Sequence, residues 1–86
     1  MANKLEQSER YLQEAVQIKP KNSEALAGLG NLAFMRGQFV EAISYYEKAI
    51  SARPSNHEAA MNLAMTYDKI GQTDRAEIIR RTILKP

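Results

Sequence analysis

Residues 20–42 read PKNSEALAGLGNLAFMRGQFVEA and residues 54–76 read PSNHEAAMNLAMTYDKIGQTDRA, and this pair of stretches decides the fold. The two stretches start 34 residues apart and are identical at eight positions in one register. Those positions hold Pro20 and Pro54, Asn22 and Asn56, Glu24 and Glu58, Ala25 and Ala59, Leu29 and Leu63, Gly37 and Gly71, Gln38 and Gln72, and Ala42 and Ala76. Ala15 and Ala49 extend the register toward the N-terminus. The chain is therefore built from an internal repeat of 34 residues.

Each repeat is predicted to contain two antiparallel helices. Asn22 or Ser23 can cap the first helix, because a side-chain oxygen at that position accepts the free backbone N–H groups of the first turn. Apolar residues then recur at helical spacing until Gly37, which readily adopts the left-handed backbone that ends a helix. A second helix follows and ends before Pro54, since the residue that precedes a proline avoids helical backbone. The next repeat has the same plan and begins at Asn56.

The pattern predicts an all-α chain of about five helices in a single domain over residues 1–86. A leading helix covers about residues 4–18, and the two repeats cover about residues 22–53 and 56–85. The leading helix aligns with the second helix of a repeat and therefore lacks a hairpin partner. Strands are excluded, because apolar residues recur with a helical period and the glycines and prolines fall at helix ends.

The two ends of the array differ in their expected surfaces. Leu5 and Leu12 on the leading helix either pack on the following helix or mark a truncated repeat or a self-association surface. At the other end, the position of Tyr46 corresponds to Arg80 in the last helix. A terminal helix with a polar outer face keeps a repeat array soluble, so we expect the array to end at this helix.

A period of this length with this pattern resembles the tetratricopeptide repeat family. The family signature has a bulky residue, Leu-Gly and an aromatic residue in the first helix, followed by Ala, an aromatic residue, Ala and Pro. The first repeat matches it with Leu26, Leu29, Gly30, Ala42, Tyr46, Ala49 and Pro54, and the second with Leu63, Ala64, Tyr67, Gly71 and Ala76. Ala33 departs from the expected aromatic residue, next to Phe34. The resemblance implies a right-handed α-solenoid of antiparallel helix hairpins that stack to bury a common core.

In this family the first helices of the hairpins line a concave groove that binds a peptide or a helix of a partner protein. The resemblance therefore implies a partner-binding groove that contains Asn31, Phe34, Met35, Met61, Asn62, Met65 and Lys69. Met side chains are flexible and suit apolar ligands of varied shape, although Met at helical spacing is also common in cores. An Asn amide both donates to and accepts from a peptide main chain, although it is equally common as a solvated surface group.

Some members of the family clamp the C-terminal carboxylate of a peptide with two Asn residues and several Lys or Arg residues. Asn31 and Asn62 lie at the two Asn places, but Ala27 stands where a clamp Lys would be. We therefore do not expect a working carboxylate clamp.

The composition argues against several functions. The chain has no Cys and one His, so it offers neither a thiolate site nor the partners that a catalytic or metal-bound His needs. We expect no cofactor and no enzymatic activity. The formal net charge is +2 without a dense run of Lys or Arg, which argues against nucleic acid as a partner. No segment is apolar over the length of a membrane span, and a Cys-free chain fits the reducing cytoplasm.

The sequence leaves two main hypotheses. In the first, the chain is a non-catalytic interaction or scaffold module that holds a protein or peptide in its concave groove. In the second, it is a self-associating scaffold unit, a homo-oligomer formed through the unpaired first helix. A third hypothesis, RNA binding, requires a basic inner face, whereas this face carries Glu24, Glu58 and Asp68 against Lys69.

Overall fold

The computed structural model describes residues 4–84, and within this range the chain forms five α-helices and no strand. The helices are α1 (Lys4–Ile18), α2 (Ser23–Met35), α3 (Phe39–Ala52), α4 (His57–Lys69) and α5 (Thr73–Thr82). This architecture confirms the prediction of an all-α chain with about five helices. Those parts of the predicted boundaries that fall on residues 1–3 and 85–86 lie outside the described residues.

The first helix of each repeat begins at an asparagine cap. The Oδ1 of Asn22 accepts a hydrogen bond from the backbone N–H of Ala25 at 3.1 Å. The Oδ1 of Asn56 accepts the equivalent bond from Ala59 at 3.0 Å. Each bond satisfies one of the backbone donors that the first turn of a helix leaves free. Of the two cap candidates for α2, Asn22 is therefore the cap, and Ser23 is the first helical residue.

The same two helices end at glycines. Gly37 after α2 and Gly71 after α4 have φ angles of 75° and 81°, a left-handed backbone that residues with a Cβ avoid. After the first of these glycines, the N–H of Gln38 donates to the carbonyl of Ala33 at 2.8 Å and closes the turn. The glycines therefore set where each hairpin turns into its second helix.

The helices pack in chain order, with α1 on α2, α2 on α3, α3 on α4 and α4 on α5. The first helices of the two repeats, α2 and α4, also touch each other. The alanines that are at most 1% exposed are Ala42, Ala49, Ala59, Ala60, Ala64 and Ala76. Beside Gly30 the ring of Tyr46 fills the space so closely that an added Cβ would lie 2.7 Å from it. One core therefore runs through both repeats, as in an α-solenoid.

A chain of two hydrogen bonds joins the two repeats. The hydroxyl of Ser23 donates to the carbonyl of Ala49 at 2.7 Å, and Nδ2 of Asn56 donates to Oγ of Ser23 at 2.8 Å. Ser23 begins α2, Ala49 lies near the end of α3, and Asn56 caps α4. This junction therefore holds the second hairpin in place on the first.

Helix α1 packs on α2 but has no fully buried residue. Leu12 lies so close to α2 that a Cβ added at Gly28 would be 2.9 Å from it, and Val16 packs against the main core. The side chains of Tyr11 and Ile18 are 72% and 86% exposed. Leu12 thus packs on the following helix, whereas Tyr11 and Ile18 form an uncovered apolar side.

Candidate partner-binding groove

An open groove of about 500 Å³ lies beside the first turns of α2 and α4. Its lining consists of Glu24, Ala27, Gly28, Asn31, Arg53, Ser55, Asn56, His57 and Glu58. These residues come from both repeats and from the loop that joins them. The shape of the groove therefore depends on how the two repeats stack.

Asn31 connects the groove to the core. Its Oδ1 accepts two hydrogen bonds, one from the hydroxyl of Tyr46 at 2.5 Å and one from Nδ2 of Asn62 at 3.0 Å. Tyr46 belongs to α3 and Asn62 to α4, so three helices meet at this oxygen atom. The structure thus brings together the two predicted groove asparagines, and it adds Tyr46 to them.

Each of the two amides keeps one polar group without a protein partner. Within residues 4–84, Nδ2 of Asn31 donates to no protein atom, and Oδ1 of Asn62 accepts from none. An amide oxygen has two lone pairs, so Oδ1 of Asn31 is fully occupied. The pair therefore presents the Nδ2 group of Asn31 as a donor and Oδ1 of Asn62 as an acceptor.

The hydroxyl of Tyr46 is held in its neutral form. The residue is 1% exposed. Burial, together with the nearby negative charge of Glu58, raises the pKa of Tyr46 to about 12. The hydroxyl, which is protonated at physiological pH in any tyrosine, therefore remains a donor to Asn31 at alkaline pH as well.

The three predicted groove methionines are exposed: Met35 by 60%, Met61 by 55% and Met65 by 46%. Met61 and Met65 are one helical turn apart on a single face of α4. Met35 likewise follows Asn31 by one turn on α2. Met65 follows Asn62 by three residues, so Met35 and Met65 each lie about one helical turn from an amide of the bonded pair. The methionines are thus exposed near the amide pair and are not part of the core, but unlike Asn31 they do not line the groove.

The two remaining predicted groove residues differ in accessibility. Phe34 is half-buried, packs against the core and makes an edge contact with Phe39, with ring centroids 5.2 Å apart. Lys69 is exposed at the end of α4. Of these two residues, Lys69 is the more accessible to a ligand.

Acidic side chains face the groove on both repeats. Glu24 and Glu58 line it, and Arg53 lies 3.7 Å from Glu24 in an exposed ion pair. Ala27, at the place of a clamp Lys, is buried and carries no charge. The charges around the amide pair therefore disfavour the free carboxylate that a clamp would hold.

Sequence reasoning alone misses Tyr46 as a residue of this site. The repeat signature explains the aromatic ring of Tyr46 but not its hydroxyl. A buried Tyr hydroxyl needs a hydrogen-bond partner, and this need is the only signal that the sequence contains. The signal does not name the partner, because Asn31 lies 15 residues earlier on another helix.

The fold and the groove define a class of protein, an α-solenoid whose stacked hairpins expose apolar and amide side chains on their first helices. Two sequence profiles described as tetratricopeptide repeat match residues 33–85 and residues 2–57. The chain therefore belongs to the tetratricopeptide repeat family, as its sequence pattern predicts. Repeats of this family generally serve as scaffolds that bind proteins or peptides, although some proteins that contain them are enzymes.

The chain spans only part of the length of the proteins to which it is similar. Human Protein O-mannosyl-transferase TMTC1 is 34% identical over 70 residues, which is 81% of this chain and 8% of that protein. Hsp70-Hsp90 organizing protein 1 of Arabidopsis thaliana is 30% identical over 69 residues, which is 80% of this chain and 12% of that protein. The crystal structure of MamA matches with a TM-score of 0.83 and 28% identity, covering 88% of this chain and 44% of that chain. What the chain shares with these proteins is therefore the repeat fold.

Other kinds of site are not seen in the described residues. Among residues 4–84, no group of three or more His, Asp or Glu side chains is placed to hold a metal ion. None of the helices in this range has the length and apolar character needed to cross a membrane. His57, the one His of the chain, is exposed at the first residue of α4.

Proposed function

We propose that the chain is a non-catalytic interaction module that holds a peptide or a helix of a partner protein against α2 and α4. The proposal rests on one observation, an exposed apolar surface that adjoins unpartnered amide groups. Met35, Met61 and Met65 are between 46% and 60% exposed, and Asn31 and Asn62 beside them each have one free polar group. Exposed apolar side chains in a cluster gain free energy when a ligand removes them from water.

The size of this gain indicates a modest affinity. Full burial of one Met side chain contributes about 1.5–3 kcal/mol, so covering three half-exposed ones contributes roughly 2–4 kcal/mol. A micromolar complex requires about 8 kcal/mol after the cost of association. Hydrogen bonds to the amide pair and contacts with Lys69 and Glu58 must therefore supply the rest. We expect a partner to bind in the micromolar range, through apolar and polar contacts together.

Affinity capture from native lysate tests this surface of methionines and amides. Met61→Glu and Met65→Glu are expected to lose the captured partner, because each places a carboxylate where an apolar ligand would strip it of water. Asn31→Ala is expected to weaken capture by removing the free amide N–H groups. Val40→Glu and Ile78→Glu are matched controls, since these residues are 77% and 59% exposed on α3 and α5. Partners that remain bound to every groove variant would refute the site.

A second candidate function is self-association through α1. Tyr11 and Ile18 are 72% and 86% exposed, whereas their counterparts 34 residues later, Tyr45 and Ala52, are half-buried in the first hairpin. A second copy that covers this side of α1 would form a homo-oligomer. Light scattering at increasing protein concentration separates the two functions, because a strict monomer rules out self-association. Tyr11→Glu is the matching variant, and it should lower the mass of any oligomer.

We also propose protein, not nucleic acid, as the partner, and the cytoplasm as the location. Glu24 and Glu58 line the groove and would repel a phosphate backbone. A chain without Cys suits a reducing compartment. We expect no retention of single-stranded RNA in a filter-binding assay at low salt. A fluorescent fusion of the full-length protein is expected to fractionate with the cytosol.

A further inference from the structure

The hydroxyl of Tyr46 lies behind the amide pair. Its ring is buried beside Gly30, and its hydroxyl donates to Oδ1 of Asn31 at 2.5 Å. We propose that Tyr46 is a positioning residue for the groove. Its hydroxyl orients the two amides so that Asn31 donates to the main chain of an extended peptide and Asn62 accepts from it. This inference rests on the proposed function, because it concerns how the same groove recognises its ligand.

The buried hydroxyl selects one orientation of the Asn31 amide. If that amide turned over, Nδ2 would face Tyr46, and the hydroxyl proton would lose its acceptor. A buried donor without an acceptor costs more than an ordinary hydrogen bond contributes. At physiological pH a tyrosine hydroxyl carries its proton, so the hydroxyl needs an acceptor. The amide therefore keeps its oxygen toward Tyr46 and its N–H groups available to a ligand.

The orientation of Asn31 sets that of Asn62 in turn. Oδ1 of Asn31 accepts from Nδ2 of Asn62 at 3.0 Å, so the free oxygen of Asn62 is the group left for a ligand. One residue of an extended peptide offers the two matching groups, a carbonyl that accepts from Asn31 and an N–H that donates to Asn62. A helical ligand uses both of these groups in its own hydrogen bonds. We therefore expect an extended segment, and not a helix, to cover the amide pair.

The test uses peptides selected from a displayed library of random short sequences on the wild-type protein. Each selected peptide is then synthesised in versions that carry one N-methyl group, which removes a single main-chain N–H. We expect Tyr46→Phe to weaken the unmodified peptide by about 3- to 10-fold, the factor for one misplaced hydrogen bond. At one position of the peptide, N-methylation should weaken binding to the wild type. It should not weaken binding to Tyr46→Phe, in which Oδ1 of Asn62 has moved, or to Asn62→Ala, in which this acceptor is absent.

Tyr67→Phe is the matched control. Tyr67 is a second buried tyrosine, 7% exposed, and its hydroxyl meets Glu47 instead of an amide of the groove. This variant should bind the selected peptides as the wild type does. In the ligand-free protein, the side-chain amide NMR signals of Asn31 and Asn62 should shift in Tyr46→Phe and stay in place in Tyr67→Phe. A residue that only fills the core would not move these signals selectively.

Three results would count against the positioning role. Equal peptide affinity and unmoved Asn31 signals in Tyr46→Phe would show that the hydroxyl orients nothing. If Tyr46→Phe lost affinity but kept the wild-type sensitivity to N-methylation, Tyr46 would not control hydrogen bonding to the peptide main chain. A selection that yields no peptide sensitive to Asn31→Ala and Asn62→Ala would refute the groove itself, and the positioning role with it.

Discussion

A comparison of Gly30→Ala with Gly28→Ala tests directly how the repeats pack. Both glycines lie within α2, so each substitution gains a similar helix propensity, about 1 kcal/mol. At Gly30 the added methyl would lie 2.7 Å from a ring carbon of Tyr46, and that ring is enclosed at 1% exposure. At Gly28 it would lie 2.9 Å from a terminal methyl of Leu12. Leu12 is only half-buried on α1 and has room to change rotamer.

The difference in stability between the two variants therefore isolates the clash with Tyr46. Overpacking of a filled core costs about 1–3 kcal/mol, so we expect Gly30→Ala to be less stable than Gly28→Ala by that amount. In a domain of this size, the difference corresponds to roughly 4 °C or more in Tm. Urea unfolding followed by circular dichroism measures it, provided that both variants unfold with the same slope. Equal stability of the two variants would mean that Tyr46 does not fill the space beside Gly30.

Three further measurements test the junction, the buried hydroxyl and the surface charges. Ser23→Ala leaves Nδ2 of Asn56 without its acceptor, so the free energy of unfolding in urea should fall by about 1–2 kcal/mol, and an unchanged value would contradict the junction. The pKa of Tyr46 is about 12 in the folded chain against 10.0 in the unfolded one, so its contribution to stability is present below pH 10 and is lost as the pH rises toward 12. Wild type should therefore lose stability with alkaline pH more steeply than Tyr46→Phe, and parallel pH profiles would exclude the shift. Arg80→Ala removes an exposed ion pair with Asp68 and should lower the free energy of unfolding in urea by less than about 1 kcal/mol. A larger loss would contradict the assignment of this pair as a solvent-screened surface contact.

The helix ends are predictable from the sequence, because the forces that set them are local. Asn22 and Asn56 cap their helices with side chains that reach a backbone N–H only three residues ahead. Gly37 and Gly71 need only the freedom of their own backbone. Each signal also occurs twice in one register, which makes it easier to recognise. The fold class follows from these ends together with the apolar period.

The hydrogen-bond network of the site is not predictable in the same way. Asn31 and Asn62 are not equivalent positions, because the 34-residue register pairs Asn31 with Met65 and Asn62 with Gly28. Their hydrogen bond depends on how far α4 is shifted along α2. The packing of all the helices determines that shift, and no single segment encodes it.

The exposure of the methionines is predictable from the sequence only in part. Helical spacing places Met61 and Met65 on one face of α4, but Met is common both in cores and on binding surfaces. The structure shows which residues of α4 the core takes: Ala60 and Ala64, which directly precede the two methionines, are 0% and 1% exposed. Both alanines belong to the buried core. The larger methionines are therefore left on the side that faces solvent.

Tyr46 links the stability of the array to the recognition that we propose. Its ring closes the packing beside Gly30, and its hydroxyl holds Asn31. Asn62 completes the site from the second repeat, so neither repeat alone contains the donor, the acceptor and the residue that orients them. The smallest unit able to bind in this way is therefore the stacked pair of repeats. A substitution that loosens the stacking weakens binding even where it touches no residue of the groove, because it moves the two amides apart.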